Sequence, residues 1–193
     1  MLTLGFDTSA AHVAAALLSG DDVLAVQGDL MAKGQAEHLM PMIEEMLSIS
    51  GKSWQDLDRI GVGVGPGNFT GIRIAVSAAR GLGLSLNIPA VGVNGFEVAA
   101  FKATAPCRAL VNAPRDHVYC LESGQDAPVL IPRADLADNS LSSLEFSSLP
   151  ATEIAVRIAR IASVSDTLER PAPLYIRAAD AAPPKDPLPQ IVG

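Results

Sequence analysis

Nine residues, Gly65-Pro66-Gly67-Asn68-Phe69-Thr70-Gly71-Ile72-Arg73, constrain this chain more than any others, because they join a glycine-spaced apolar run to a segment of helical character. Before the joint, Ile60-Gly61-Val62-Gly63-Val64-Gly65 alternates β-branched residues with glycine. One face of such a strand can pack while the other admits close approach by a neighbouring backbone, so a buried strand is expected. After the joint, Thr70 to Asn87 contains no proline and is rich in helix formers, although Gly71, Gly81 and Gly83 weaken it. The loop therefore delivers a helix N-terminus. Free amides and the dipole there can hold a phosphate or carboxylate. The plainer reading is a tight turn with Asn68 or Thr70 as the N-cap, and it is favoured because the Lys and Ser/Thr of a Walker loop are absent.

At 193 residues and 49% hydrophobic, the chain can bury a real core as one domain or two small lobes. A net charge of −7 argues against tight nucleic-acid binding by this chain alone, and 4% aromatic residues disfavour a base-stacking platform. Cys107 and Cys120 have no CxxC spacing, so reduced structural thiols are expected. His12, His38 and His117 are too scattered to pair on a helical face, and no metal site is expected. The first residues, Met1 to Asp7, lack a basic region and meet a charge too early for a signal peptide, and no stretch is apolar enough to span a bilayer. The expectation is a cytoplasmic protein with no membrane partner.

Leu2 to Phe6, Val13 to Leu18 and Val23 to Gln27 look like an opening meander with a turn at Ser19-Gly20-Asp21-Asp22. Leu39, Ile43, Met46 and Leu47 then recur at helical spacing, predicting a helix over about 35–49 with Gly51 as its stop. After the glycine loop come a short strand, Ala90 to Val93, and a helix, Phe96 to Ala103. Beyond Cys107, Ala109 to Val111 and Val118 to Leu121 can pair across Pro114-Arg115-Asp116, Ile154 to Val164 has helical spacing, and Leu174-Tyr175-Ile176 reads as a last strand. This alternation predicts an α/β fold built on mixed sheets. The expected divisions are residues 1–103, 104–177 and an extended Pro/Ala-rich tail, 178–193, carrying Pro183, Pro184, Pro187 and Pro189. No internal repeat is evident.

Three segments together resemble one family. Phe6-Asp7-Thr8-Ser9, the glycine loop from Gly65 to Arg73, and Pro173-Leu174-Tyr175-Ile176-Arg177 look like TsaB (YeaZ), the non-catalytic partner of TsaD in making threonylcarbamoyladenosine in tRNA. The likeness covers most of Met1 to about Asn94 and thins after it. It implies an actin-like (ribonuclease H-like) ATPase fold with two related lobes, the second shortened here. It also implies a scaffold and activator role: binding TsaD and, with TsaE, supporting threonylcarbamoyl transfer to adenosine 37 of tRNA, with tRNA met only through the complex. The family's older glycoprotease name finds no zinc ligands or nucleophile and base pair in this sequence.

Carried over residue by residue, Asp7, Thr8 and Ser9 fall on the superfamily's first phosphate loop, and Gly65, Gly67, Asn68 and Thr70 on the glycine loop, as a vestigial nucleotide site. Asn68 stands in place of the family's usual serine, and Gln35 where many relatives have histidine. No catalytic residue is assigned and no cofactor is required by this chain, ATP or ADP with magnesium belonging to the complex. The alternative is an ATP-dependent sugar-kinase-like phosphotransferase using Asp7, although its second phosphate loop is missing: Asn112 to Asp116 sits nearest in position but lacks glycine. For the partner face, two helices stand out. Leu39, Met42, Ile43 and Met46 on the first, with Gly71, Ile72, Ala75, Ala78 and Ala79 on the second, form the expected docking surface for TsaD, or for a second copy when TsaD is absent. A further small-residue stripe runs Ser77, Gly81, Ser85.

Overall fold

The computed structural model describes residues 1–136, 141–167 and 169–176. Strand β1 (Leu2–Asp7) pairs antiparallel with β2 (His12–Ser19), which pairs antiparallel with β3 (Asp22–Leu30). Helix α1 (Gln35–Ile49) leads to β4 (Arg59–Gly63), which lies parallel to β1 on its other side. Helix α2 (Phe69–Leu86) then leads to β5 (Ala90–Val93), parallel to β4, and closes a sheet of order β3-β2-β1-β4-β5. A short α3 (Gly95–Ala99), capped by the Asn94 and Glu97 side chains, passes the chain to the second sheet.

That second sheet repeats the first. Strand β6 (Cys107–Ala113), β7 (His117–Glu122) and β8 (Val129–Pro132) run antiparallel in sequence, and β9 (Ser142–Glu145) returns parallel to β6, giving the order β8-β7-β6-β9. Three antiparallel strands followed by a parallel one on the far side of the first is thus used twice. The expected α/β architecture with two mixed sheets flanked by helices is present, and the repeat is one of topology that no sequence periodicity betrays.

Strand alternation sorts the first sheet's two faces. Leu4, Phe6, Ile60 and Val62 point to α1 and α2 and meet Leu39, Met42, Ile43, Ile72, Ala75 and Ala79 in one core. The opposite face carries Gly5 and Gly61, and onto it packs α4 (Ala151–Ser163), which follows β9. A Cβ on Gly5 would lie 2.6 Å from the Ala155 carbonyl, and one on Gly61 would lie 2.7 Å from the Ala162 methyl. The glycine spacing of β4 is therefore a seat for a helix. Ala155, Ala159 and Ala162 bring the α4 backbone down to it, and burial of Ile154 and Ile158 adds about 1.5–3 kcal/mol each. Helix α4, late in the chain, thereby becomes part of the first layer.

Most predicted elements form, with four differences. The helix expected over 96–103 stops at Ala99, because Lys102 takes a left-handed φ of 61° and the Ala103 amide turns back to Ala100. Leu174 to Ile176 is not a strand: the segment is irregular and held by a 2.8 Å bond from the Leu174 amide to the Val64 carbonyl. Strands β8 and β9 were not expected, being four residues long and half exposed, with no apolar alternation to mark them. Residue Arg177 and the tail 178–193 lie outside the described residues.

Candidate functional site

The loop leaving β1 and the glycine loop leaving β4 meet face to face, since β1 and β4 are parallel neighbours. Asp7 is the anchor of the first loop. Its carboxylate accepts the Ser9 amide at 2.9 and 3.1 Å and the Ser9 hydroxyl at 2.7 Å, and its Oδ1 lies 3.2 Å from His12 Nε2. Asp7 is 1% exposed, Ser9 3% and His12 5%, so this is an internal polar cluster with its acceptors in use. From α1, the Gln35 amide lies 3.2, 2.8 and 2.7 Å from the carbonyls of Thr8, Ala10 and His12 and fixes the rest of the loop.

The glycine loop closes down on this frame. Thr8 Oγ1 donates to the Gly71 carbonyl at 2.6 Å, and the Asn68 amide donates to the Ser9 carbonyl at 2.7 Å. A Cβ on Gly67 would overlap the Ser9 carbonyl oxygen, one on Gly71 the Thr8 carbonyl oxygen, and one on Gly63 the Asp7 carboxylate. Asn68 is the N-cap of α2, its side chain accepting the Gly71 amide at 2.8 Å, which decides between the two cap candidates. Thr70 is exposed in the first turn. Gly65 holds a φ of 94°, in the region that suits glycine.

These contacts test whether a nucleotide's phosphates fit. In a phosphate cradle the glycines admit ligand oxygens and the acid orders a metal or water. Here the glycines admit the neighbouring loop, and Asp7 is bonded to its own turn. Across the cleft, the position opposite the first loop is the β6–β7 hairpin, where Arg115 and Asp116 take left-handed φ values of 59° and 54° with no glycine to open the backbone. Asn112 there accepts Arg133 Nη2 at 2.5 Å. The residues present do not fit a triphosphate and its metal. Among the described residues, no group of three or more His, Cys, Asp or Glu side chains converges on a metal position.

Between the lobes lies a cleft of about 650 Å³, with Ser9, His12 and Asn68 on one wall and Asn112 and Pro114 on the other. Tyr119, Phe146 and Ile154 make its floor apolar. At the start of α2 the two distant motifs meet: the rings of Phe69 and Tyr175 stack with centroids 5.2 Å apart, the Arg73 guanidinium sits 3.8 Å over Phe69, and Arg73 Nε donates to the Tyr175 hydroxyl at 3.0 Å. His12 and Gln35 are the members of the site that the sequence did not assign. Their partners are set by tertiary placement, and only the departure of Gln35 from the family pattern drew notice to it.

The expected partner face needs correction. Leu39, Met42, Ile43, Met46, Ile72, Ala75 and Ala79 are each at most 3% exposed, Gly71 is buried against Thr8, and Ala78 is partly buried against the same core. They form this chain's own interior. Periodicity identifies an apolar helix face but not which body covers it, and here the first sheet covers it. What α2 leaves open is the other stripe: Phe69 (41% exposed), Arg73, Ser77, Gly81 and Leu84 (81% exposed). The open side of α1 carries Glu37, Glu44, Glu45 and Ile49. Among the described residues, no helix is long and apolar enough to cross a membrane.

The family model described as TsaD, tRNA N6-adenosine threonylcarbamoyltransferase, matches residues 26–172. The chain is 30% identical over 131 residues to the tRNA threonylcarbamoyladenosine biosynthesis protein TsaB of Escherichia coli (strain K12), covering 65% of this chain and 56% of that one. It is 37% identical over 100 residues to TsaB of Bacillus subtilis (strain 168), covering 52% and 44%. The chain thus spans about half the length of the curated relatives it matches. A Pseudomonas aeruginosa crystal structure, described as an uncharacterized protein with similarity to peptidase YEAZ, superposes with a TM-score of 0.73 at 23% identity, over 91% of this chain and 99% of that one. That likeness concerns the fold.

Proposed function

The chain belongs to the TsaB (YeaZ) family of TsaD-like proteins, and from that premise we propose that it is a scaffold and activator that docks on TsaD through the outer stripe of α2. With TsaE, the assembly would transfer threonylcarbamoyl to adenosine 37 of tRNA, and this chain would contribute surface and no reacting group. Nucleotide and magnesium, where needed, would be held by the complex.

Gly81 carries the reading. It sits in the interior of an 18-residue helix with nothing within 4 Å of where its Cβ would be. A glycine in such a place costs about 0.5–1 kcal/mol relative to alanine, and no contact among the described residues offsets that. Flanked by Ser77 and Ser85, it offers the close approach that a second helix needs. Leu84 beside it is an apolar anchor left in water.

Charge supports the same surface for self-association when TsaD is absent. Helix α2 carries Arg73 and Arg80 and no acid, while the open side of α1 carries Glu37, Glu44 and Glu45. A two-fold axis would set the acidic helix of one copy against the basic helix of the other, an isologous arrangement. The phosphotransferase alternative asks for an Asp7 free to order a metal and for a second phosphate loop; Asp7 is bonded to Ser9 and His12, and the hairpin opposite has no glycine. Co-elution of the purified chain with TsaD tests the proposal. Wild-type protein should co-elute, Gly81→Arg should not while keeping its circular dichroism, and co-elution of a folded Gly81→Arg would remove the assignment.

A further inference from the structure

We infer that the cleft at the C-terminal end of α2 receives an acidic, partly apolar segment of the docking partner, held by Arg80 and Arg170. The inference rests on the α2 docking face proposed above. The cleft measures about 570 Å³ and is walled by α2 on one side and by the coil after α4 on the other. Arg80, Arg170, Asn87 and Thr167 are its polar lining, with Leu84 and Pro89 among its apolar residues, and among the described residues no acidic side chain lines it. Among the described residues neither guanidinium has an ion-pair partner. Two arginines in one concavity, without an ion-pair partner among the described residues and on a chain of net charge −7, offer a local site for an anion.

The wall carrying Arg170 is fixed. Arg59 Nη1 donates to the Ala162 carbonyl at 3.1 Å and to that of Ser165, which ties down the start of the coil. Pro171 is buried against Gly92 of β5, 3.4 Å from where a Cβ would stand. The backbone of Arg170, adjacent to Pro171, is thus placed at the cleft, which its exposed side chain lines. Thr167 Oγ1 accepts the Glu169 amide at 3.3 Å, which leaves its hydroxyl proton free for a ligand oxygen.

Two features select an acidic segment of a protein over a phosphate backbone. The cleft shares Gly81 and Leu84 with the open stripe of α2, so whatever packs along that stripe runs directly into the arginines. The lining is amphipathic, with two arginines beside Leu84 and Pro89, and an extended polyanion would be repelled by a chain of net charge −7. One or two carboxylates beside an apolar residue satisfy both requirements.

The test measures equilibrium association of the full chain with TsaD at low and high salt for wild type, Arg80→Glu, Arg170→Glu, Arg170→Lys and Gly81→Arg, each first shown to be folded by its melting curve. Charge reversal at either arginine should weaken association about tenfold or more at low salt, with the loss shrinking at high salt and largely absent in Arg170→Lys. If Gly81→Arg abolishes association while both reversals match wild type, the arginine cleft is refuted and the docking face stands. If the reversals weaken association and Gly81→Arg does not, the docking face falls, and with it the inference that a segment packed along that face enters the cleft. Binding of inorganic phosphate or tRNA by the isolated chain that Arg170→Glu removes, with TsaD affinity unchanged, would overturn the acidic-segment assignment.

Discussion

Thr8 and Gly71 are locked together: the Thr8 hydroxyl donates to the Gly71 carbonyl at 2.6 Å, and the space a Gly71 side chain would need is filled by the Thr8 carbonyl. Sixty-three residues apart, they fasten the loop after β1 to the first turn of α2. The tight turn favoured from the sequence is, in the fold, one half of a clasp between two loops.

The clasp should be intolerant of small additions. Gly71→Ala should destabilise the chain by roughly 1–3 kcal/mol or more, because backbone stands in the way and cannot swing aside. Asp7→Ala, which leaves the Ser9 amide and hydroxyl without their acceptor, should cost about 1–3 kcal/mol. Urea melts of both variants check this. An unchanged midpoint for Gly71→Ala would mean that the loops are not packed as described.

The two faces of α2 should answer oppositely to substitution. Gly81→Ala should stabilise the isolated chain by roughly 0.5–1 kcal/mol, since the site is open and the helix gains propensity. Ala75→Arg places a guanidinium in a position that is 0% exposed and should abolish folding, so it cannot serve as a clean probe of association. Thermal melts separate the two, and a folded Ala75→Arg would contradict the sheet-covered face.

Cys120 should be a silent thiol. Burial, reinforced by the Glu122 carboxylate and opposed by Arg108, pushes its pKa above the ordinary 9.0. A folded pKa raised above the unfolded one favours the neutral thiol, so its contribution to stability is complete below pH 9 and is lost as pH rises through the folded value. Iodoacetamide should label Cys120 at pH 8 only after denaturant is added. Rapid labelling of the native chain would show the β6–β7 sheet to be open.

What the sequence made legible, and what it hid, divides along physical lines. Helices α1 and α2 and the first three strands are readable because apolar spacing and turn residues act locally: Gln35 to Ile49 forms as expected, and the Ser19 to Asp22 turn falls where Gly20 allows it. Strands β8 and β9 are short and half exposed, held by pairing to β7 and β6, so their own residues carry little signal. The apolar stripes of α1 and α2 were legible as stripes, but a stripe does not say whether a sheet of the same chain or a partner covers it. The site shows the same limit. Asp7 is recognisable in the sequence, whereas its engagement by Ser9 and His12 and the three-carbonyl reach of Gln35 depend on loops brought together by β1 and β4.

The most direct measurement is reconstituted threonylcarbamoylation of tRNA by TsaD and TsaE with no added chain, with wild-type chain and with Gly81→Arg. The account predicts modification with the wild-type chain only, and background levels with a Gly81→Arg protein whose melting curve shows it folded. Full modification without the chain, or full modification supported by Gly81→Arg, would contradict it.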